Sequence, residues 1–201
     1  MSFFKKIRES KTFRMVLIAE FGALSILLAK FTRFPIFAAA PFLKMDLGEI
    51  PLLLAAMVLP GFSGLTALLV KEMLSFLIFG TNLYSLTADF LACGCFLLVF
   101  TLLRRRELSL RRFVVATTVA AVARMAFSIP LNLVILQLQY GSSIETIWAQ
   151  MPFIVPFNGL KCVLDAVCIV PLYHRLTTMI TASAVALTQG DENQLNEREN
   201  I

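Results

Sequence analysis

The chain has 201 residues, 58% of them hydrophobic, with a formal net charge of +5 and a mean hydropathy of +0.80. Soluble domains hold about 45–50% apolar residues, so this excess excludes an ordinary soluble fold and points to one polytopic membrane domain with little soluble mass. A nucleic-acid binder is excluded by the placement of the positive charges, which lie at the ends of apolar segments rather than on one folded face.

The start, MSFFKKIRESKTFR, is basic but has no short apolar run ending in a small-residue cleavage site, so residues 1–13 read as a retained cytoplasmic arm. A bilayer core about 30 Å thick requires about 20 largely apolar residues per helical span. Six spans follow, at about 14–31, 49–60, 61–80, 86–103, 113–138 and 152–180. The second is the shortest, because PGFSG at 60–64 suits a tight turn. The roughly 12 residues left rise only about 18 Å, so this element is expected to tilt, to extend into the preceding loop or to be shielded by its neighbours. Gln137 to Met151 reads as a loop between the fifth and sixth spans, and the polar residues 181–201 as a disordered cytoplasmic tail.

Charge asymmetry gives an orientation. Lys5, Lys6, Arg8, Lys11 and Arg14 begin the chain, Arg104, Arg105, Arg106, Arg111 and Arg112 separate the fourth and fifth spans, and Arg175 lies at the end of the sixth. With six spans all three clusters share one side, which the positive-inside rule makes cytoplasmic. The expected fold is therefore an all-α membrane protein, six transmembrane helices over residues 14–180, with both termini cytoplasmic.

Neither a metal site nor a catalytic site is expected. Cys93 and Cys95, two apart on one helix, point in different directions, and Cys162 and Cys168 have no histidine nearby, so all four read as small packing residues. His174, the single histidine, sits at a helix end and is expected to meet the final carbonyls.

The informative residues are the ionisable ones inside spans: Glu20, Lys71, Glu72, Asp89, Arg124, Lys161 and Asp165. An unpaired charge there costs at least about 2.5–3.5 kcal/mol, so each must pair or face water. Asn158, Lys161 and Asp165 follow one another at i, i+3 and i+7, a single helical face. Pro156 restricts the residue before it and frees a carbonyl. On the fifth span Asn132 follows Pro130 towards the same end. Two readings stand side by side. Asn132, Asn158 and Lys161 converge as a small-molecule site, or the lysine pairs with Asp165 while the asparagines bond to backbone.

The stretch FLKMDLGEIPLLLAAMVLPGFSGLTALLVKEML at 42–74 resembles the first half of the substrate-binding S-components of energy-coupling-factor (ECF) vitamin transporters, and is most similar to the riboflavin-specific members. Their loop reads close to F-L-K-Y-D-x-S-D-I-P. Phe42, Leu43, Lys44, Asp46, Ile50 and Pro51 match it, Met45 replaces the tyrosine, and Gly48 and Glu49 stand where serine and aspartate are usual. PFNGLKCVL is similar to the family's P-F-N-x-x-K run on the last span. Together the matches cover most of residues 13–178.

The resemblance implies a bacterial plasma-membrane protein that binds riboflavin from outside, with no cofactor and no catalytic residues. Asn158, Lys161 and Asn132 would contact the ligand, and the loop at 40–46, with Leu43, Lys44, Met45 and Asp46, would form a lid over it. It implies association with a membrane T-component and two ATPase subunits, followed by toppling to open the site inward. The chain has no G-x-x-x-x-G-K-[ST] loop, so ATP would be used by the partners. A small-residue surface on the first span, here Ala19, Gly22 and Ala23, would dock the T-component, although such residues also serve packing inside a bundle. The alternatives are an S-component for another vitamin such as pantothenate, an assembly subunit without a pocket, and a lipid-modifying membrane enzyme using Asp89, Arg124 and Lys161. The enzyme lacks the clustered acidic motif that metal and phosphate chemistry requires.

Overall fold

The computed structural model describes residues 10–37, 43–104 and 110–199, without the side chains of residues 173, 174 and 176–199. The basic arm before Ser10, Phe42, Arg105, Arg106 and the side chain of His174 lie outside the described residues. Within them the chain forms six helices and one small hairpin: α1 (Lys11–Phe31), β1 (Phe34–Pro35), β2 (Lys44–Met45), α2 (Glu49–Val58), α3 (Ser63–Phe79), α4 (Leu83–Leu103), α5 (Leu110–Tyr140) and α6 (Ile144–Glu199). Among the described residues, four stretches are long and apolar enough to cross a membrane: Lys11–Phe31, Leu83–Leu103, Leu110–Tyr140 and Ile144–Leu172.

Local chemistry sets the ends. Ser10 caps α1 by accepting from the Phe13 amide at 3.2 Å, and Asn82 caps α4 through the Tyr84 amide at 2.9 Å. α6 begins at Ile144, earlier than the sixth span read from the sequence. Ser143 accepts from the Thr146 amide at 3.3 Å, so GSS at 141–143 is the whole turn and most of the stretch taken as a loop is helix. Pro152 and Pro156 are inside α6 and do not end it. At the other end α6 is continuous through the polar residues as far as Glu199.

α2 resolves the problem of the short element. Its ten residues rise about 15 Å, and it survives by burial, with Leu52, Leu53, Ala55 and Ala56 fully enclosed. Neighbours shield most of its surface: Phe96, Leu97 and Phe100 of α4, Phe113, Ala116 and Ala120 of α5, and Cys162 and Ile169 of α6 share its core. α3 folds back against it closely enough that a Cβ on Gly64 would lie 2.7 Å from the Ala56 Cβ, so only glycine fits there. The outer faces of the bundle are apolar, as a lipid-facing surface requires; Leu77 and Val167 are 72% and 63% exposed.

The connection between α1 and α2 is tied down at both ends. β1 and β2 pair antiparallel, Phe34 opposite Met45 and Pro35 opposite Lys44. Thr32, at the end of α1, donates to the Leu28 carbonyl at 2.7 Å and accepts from the Leu47 amide at 2.9 Å. Ser25 donates from α1 to the Gly48 carbonyl. Alternation along β2 then exposes Lys44 and buries Met45. Met45 and Leu43 join a second apolar cluster with Leu136 of α5 and Ile147, Met151, Ile154 and Phe157 of α6. The hairpin thus spans from α1 to where α5 meets α6, and marks the hairpin end of the bundle.

Candidate binding site

A cavity of about 190 Å³ lies among α1, α3, α4, α5, α6 and the hairpin connection. Its lining runs from Arg33, Lys44 and Tyr140, all exposed at the hairpin end, down to Lys71, Arg124 and Lys161, which are at most 4% exposed. The helices deliver these side chains from segments far apart in sequence, and the charged ones meet near the middle of the bundle.

Glu49, at the first turn of α2, is the hub of the charged floor. Arg124 of α5 meets it with both terminal nitrogens, Nη2 at 3.0 Å from Oε1 and Nη1 against Oε2. Lys161 of α6 sits 2.7 Å from the same Oε1. Glu49 is 1% exposed and lies behind these two cations rather than on the cavity surface. Lys161 also reaches Asp46 at 3.3 Å and Asp89 of α4 at 3.9 Å. Asp89 in turn engages Lys71 of α3, whose Nζ is 2.8 Å from Glu72 Oε1. Each charge therefore has an opposite partner, which is the condition for burying it in a low-dielectric bundle.

Asp165 is the exception: it is fully buried, and neither of its oxygens has a hydrogen-bond partner among the described residues. The Lys161–Asp165 pair that the spacing allows is not made. Lys161 turns instead to carboxylates from α2 and from the connection before it.

Each of the two asparagines spends one N–H on the backbone of its own helix. Asn158 Nδ2 donates to the Ile154 carbonyl at 2.9 Å and its Oδ1 accepts from Arg124 Nε at 3.0 Å. Asn132 Nδ2 donates to the Ser128 carbonyl at 2.7 Å. Each amide has two N–H donors and a carbonyl with two lone pairs. After these bonds Asn158 keeps one N–H and one lone pair, and Asn132 keeps one N–H and its carbonyl. Lys161 has three N–H bonds and two close carboxylate partners, so one remains. Asn132, Asn158 and Lys161 all line the cavity, together with the apolar surfaces of Leu131, Ile135, Leu136 and Phe157.

From the connection, Leu43, Lys44 and Asp46 also line the cavity. Met45 does not. It is 2% exposed inside the second apolar cluster, because successive residues of a strand face opposite sides. Among the three small residues of α1, Gly22 is buried against α3, where a Cβ would come within 2.8 Å of Val70 Cγ1 and 3.0 Å of the Ala67 carbonyl oxygen. It serves packing within the bundle. Ala19 is exposed and Ala23 partly so, one turn apart on an outer face.

Glu49 is the site residue that sequence reasoning passed over, since it appeared only as a departure from a motif. The signal was its place at the first turn of a short, otherwise apolar helix, where a carboxylate must find a cation. The four cysteines are free thiols, and among the described residues no cluster of histidine, cysteine and acidic side chains could hold a metal ion.

Three comparisons bear on this cavity. Residues 13–173 match the family described as "ECF transporter, substrate-specific component". Similar known proteins include the riboflavin transporter RibU of Lactococcus lactis subsp. cremoris (strain NZ9000), 28% identical over 164 residues that cover 78% of this chain and 80% of that protein. The riboflavin transporter RibU of Staphylococcus aureus (strain TCH60) is 25% identical over 183 residues, 88% of this chain and 96% of that protein. A solved structure described as "Structure and mechanism of the S component of a bacterial ECF transporter" superposes with a TM-score of 0.73 at 25% identity, over 85% of this chain and 99% of that one. With a family match over most of its length, a bundle of the same fold and a cavity walled by its helices, the chain belongs to the substrate-specific components of ECF transporters.

Proposed function

We propose that the protein is the riboflavin-binding S-component of an ECF-type vitamin transporter. The observation that carries this reading is the wall on which Asn132, Asn158 and Lys161 stand together beside apolar surface. The isoalloxazine edge offers acceptor, N–H donor and acceptor in a row. The unused groups of two asparagines and a lysine answer that pattern with donors and an acceptor, and the ring faces suit Leu131, Ile135 and Phe157. The relatives named as riboflavin transporters support the same ligand.

In this reading all six helices lie in a bacterial plasma membrane with both termini cytoplasmic, so the hairpin end faces outward and the cavity receives vitamin from outside. The hairpin connection, through Leu43, Lys44 and Asp46, covers the ligand. Ala19 and Ala23 of α1 offer a close-approach surface for the T-component, and two partner ATPases supply the energy, so the chain itself performs no catalysis. The absorption spectrum of the detergent-purified protein tests the ligand: flavin retained from the cell gives visible bands in proportion to protein, and a purified protein that neither carries nor takes up flavin contradicts the proposal.

A further inference from the structure

The cavity wall built by α3 and the start of α4 has a different chemistry from the amide wall. Glu72 and Ser75 line it on α3, and Thr81 and Ser85 line it where the chain turns into α4. Glu72 is 4% exposed, and Lys71, itself held by Asp89, fixes its Oε1 at 2.8 Å. Ser75 is three residues along the same helical face. The Thr81 hydroxyl donates to the Ser75 carbonyl at 3.0 Å, and the two hydroxyl oxygens lie 2.8 Å apart. A hydroxyl has one proton. With that of Thr81 committed to the carbonyl, Ser75 is the donor between the pair, and both oxygens face a ligand as acceptors. Glu72 is an acceptor by charge. The strip therefore offers hydrogen-bond acceptors in series, which suits a ligand segment bearing several O–H donors.

We infer that Glu72 and Ser75 read the polyhydroxylated side chain of the flavin, and so decide between flavins that carry such a chain and flavins that do not. This rests on the riboflavin reading above and adds to it the side-chain half of the site. The ring and the chain would be recognised on opposite walls, by amides and lysine on α5 and α6 and by acceptors on α3.

The test is a cycle between ligand and protein. Riboflavin and lumiflavin, which has a methyl group in place of the hydroxylated chain, are titrated by flavin fluorescence into the wild type, Glu72→Ala and Ser75→Ala. Losing a hydrogen bond to a charged acceptor should weaken riboflavin about tenfold in Glu72→Ala, and losing a neutral one about threefold in Ser75→Ala, with lumiflavin changed by less than about twofold in both. Ser75→Ala removes only a hydroxyl and decides the matter if Glu72→Ala does not fold. Equal losses for the two flavins, no loss for riboflavin, or a wild type that binds both flavins equally well overturns the assignment while leaving riboflavin as the ligand. A wild type that binds neither flavin contradicts the riboflavin reading itself, and this inference with it.

Discussion

Glu49 and Arg124, 75 positions apart, are joined by a two-point ion pair in which neither side chain is more than 2% exposed. The pair fastens the short helix α2 to the middle of α5, and Lys161 adds a third anchor from α6 at 2.7 Å. One carboxylate thus locks three helices and orients two cations on the cavity floor. Removing one member of a buried pair leaves the other charge uncompensated and costs about 3–5 kcal/mol. Glu49→Ala is expected to lower the thermal midpoint in detergent sharply, and Glu49→Ala/Arg124→Ala to cost clearly less than the sum of the two single changes. Additive losses would show that the two residues act independently.

Lys161→Ala is expected to separate binding from folding. Glu49 keeps both contacts to Arg124 when the ammonium is removed, so the helix lock persists. A ligand loses a charged donor worth about 1.5–3 kcal/mol, which is roughly ten- to a hundredfold in affinity. Fluorescence titration with riboflavin and a melting curve of the same sample measure the two effects. An unchanged dissociation constant removes Lys161 from the site.

Asp46 links the hairpin connection to the cavity floor, with Oδ2 3.3 Å from Lys161 Nζ and Oδ1 accepting from the Gly48 amide at 3.0 Å. A ligand that completes the coordination of Lys161 should steady this connection. Hydrogen exchange at residues 43–48 is expected to slow when riboflavin is added. Equal exchange with and without riboflavin would mark the connection as a rigid part of the scaffold.

The small residues of α1 face two ways, and their substitutions are expected to have opposite signatures. Gly22→Val drives a side chain into Val70 and the Ala67 carbonyl, so the isolated protein should be destabilised. Ala23→Trp adds bulk towards the outer face, so riboflavin binding should survive while T-component co-purification and riboflavin uptake fail. Normal uptake by Ala23→Trp would remove α1 from the docking surface.

Six helices are legible in the sequence because apolar length and Pro-Gly breaks are local signals, and even the anomaly of α2 is visible as a length too short to span. The early start of α6 is not, because Ser143, Glu145, Thr146 and Gln150 lower the hydropathy of a segment that Ser143 caps as helix. The shared face of Asn158 and Lys161 follows from their spacing alone. Their partners do not, since spacing offers Asp165 one turn away while the fold supplies Glu49 and Asp46 from another part of the chain. Met45 shows the limit of a motif: four consecutive residues cannot all face one cavity when two of them form a strand. Gly22 shows the same for composition, since a small residue marks a close approach without saying whether the neighbour is inside or outside the bundle.

Binding of riboflavin against the wall formed by α5 and α6 is measured by a fluorescence titration of purified wild type beside Asn158→Ala. Saturable quenching at one flavin per chain is expected for the wild type, with affinity at least about tenfold weaker for the variant, whose ring-edge donor and acceptor are gone. No saturable quenching by the wild type, or equal affinities for the two proteins, would contradict it.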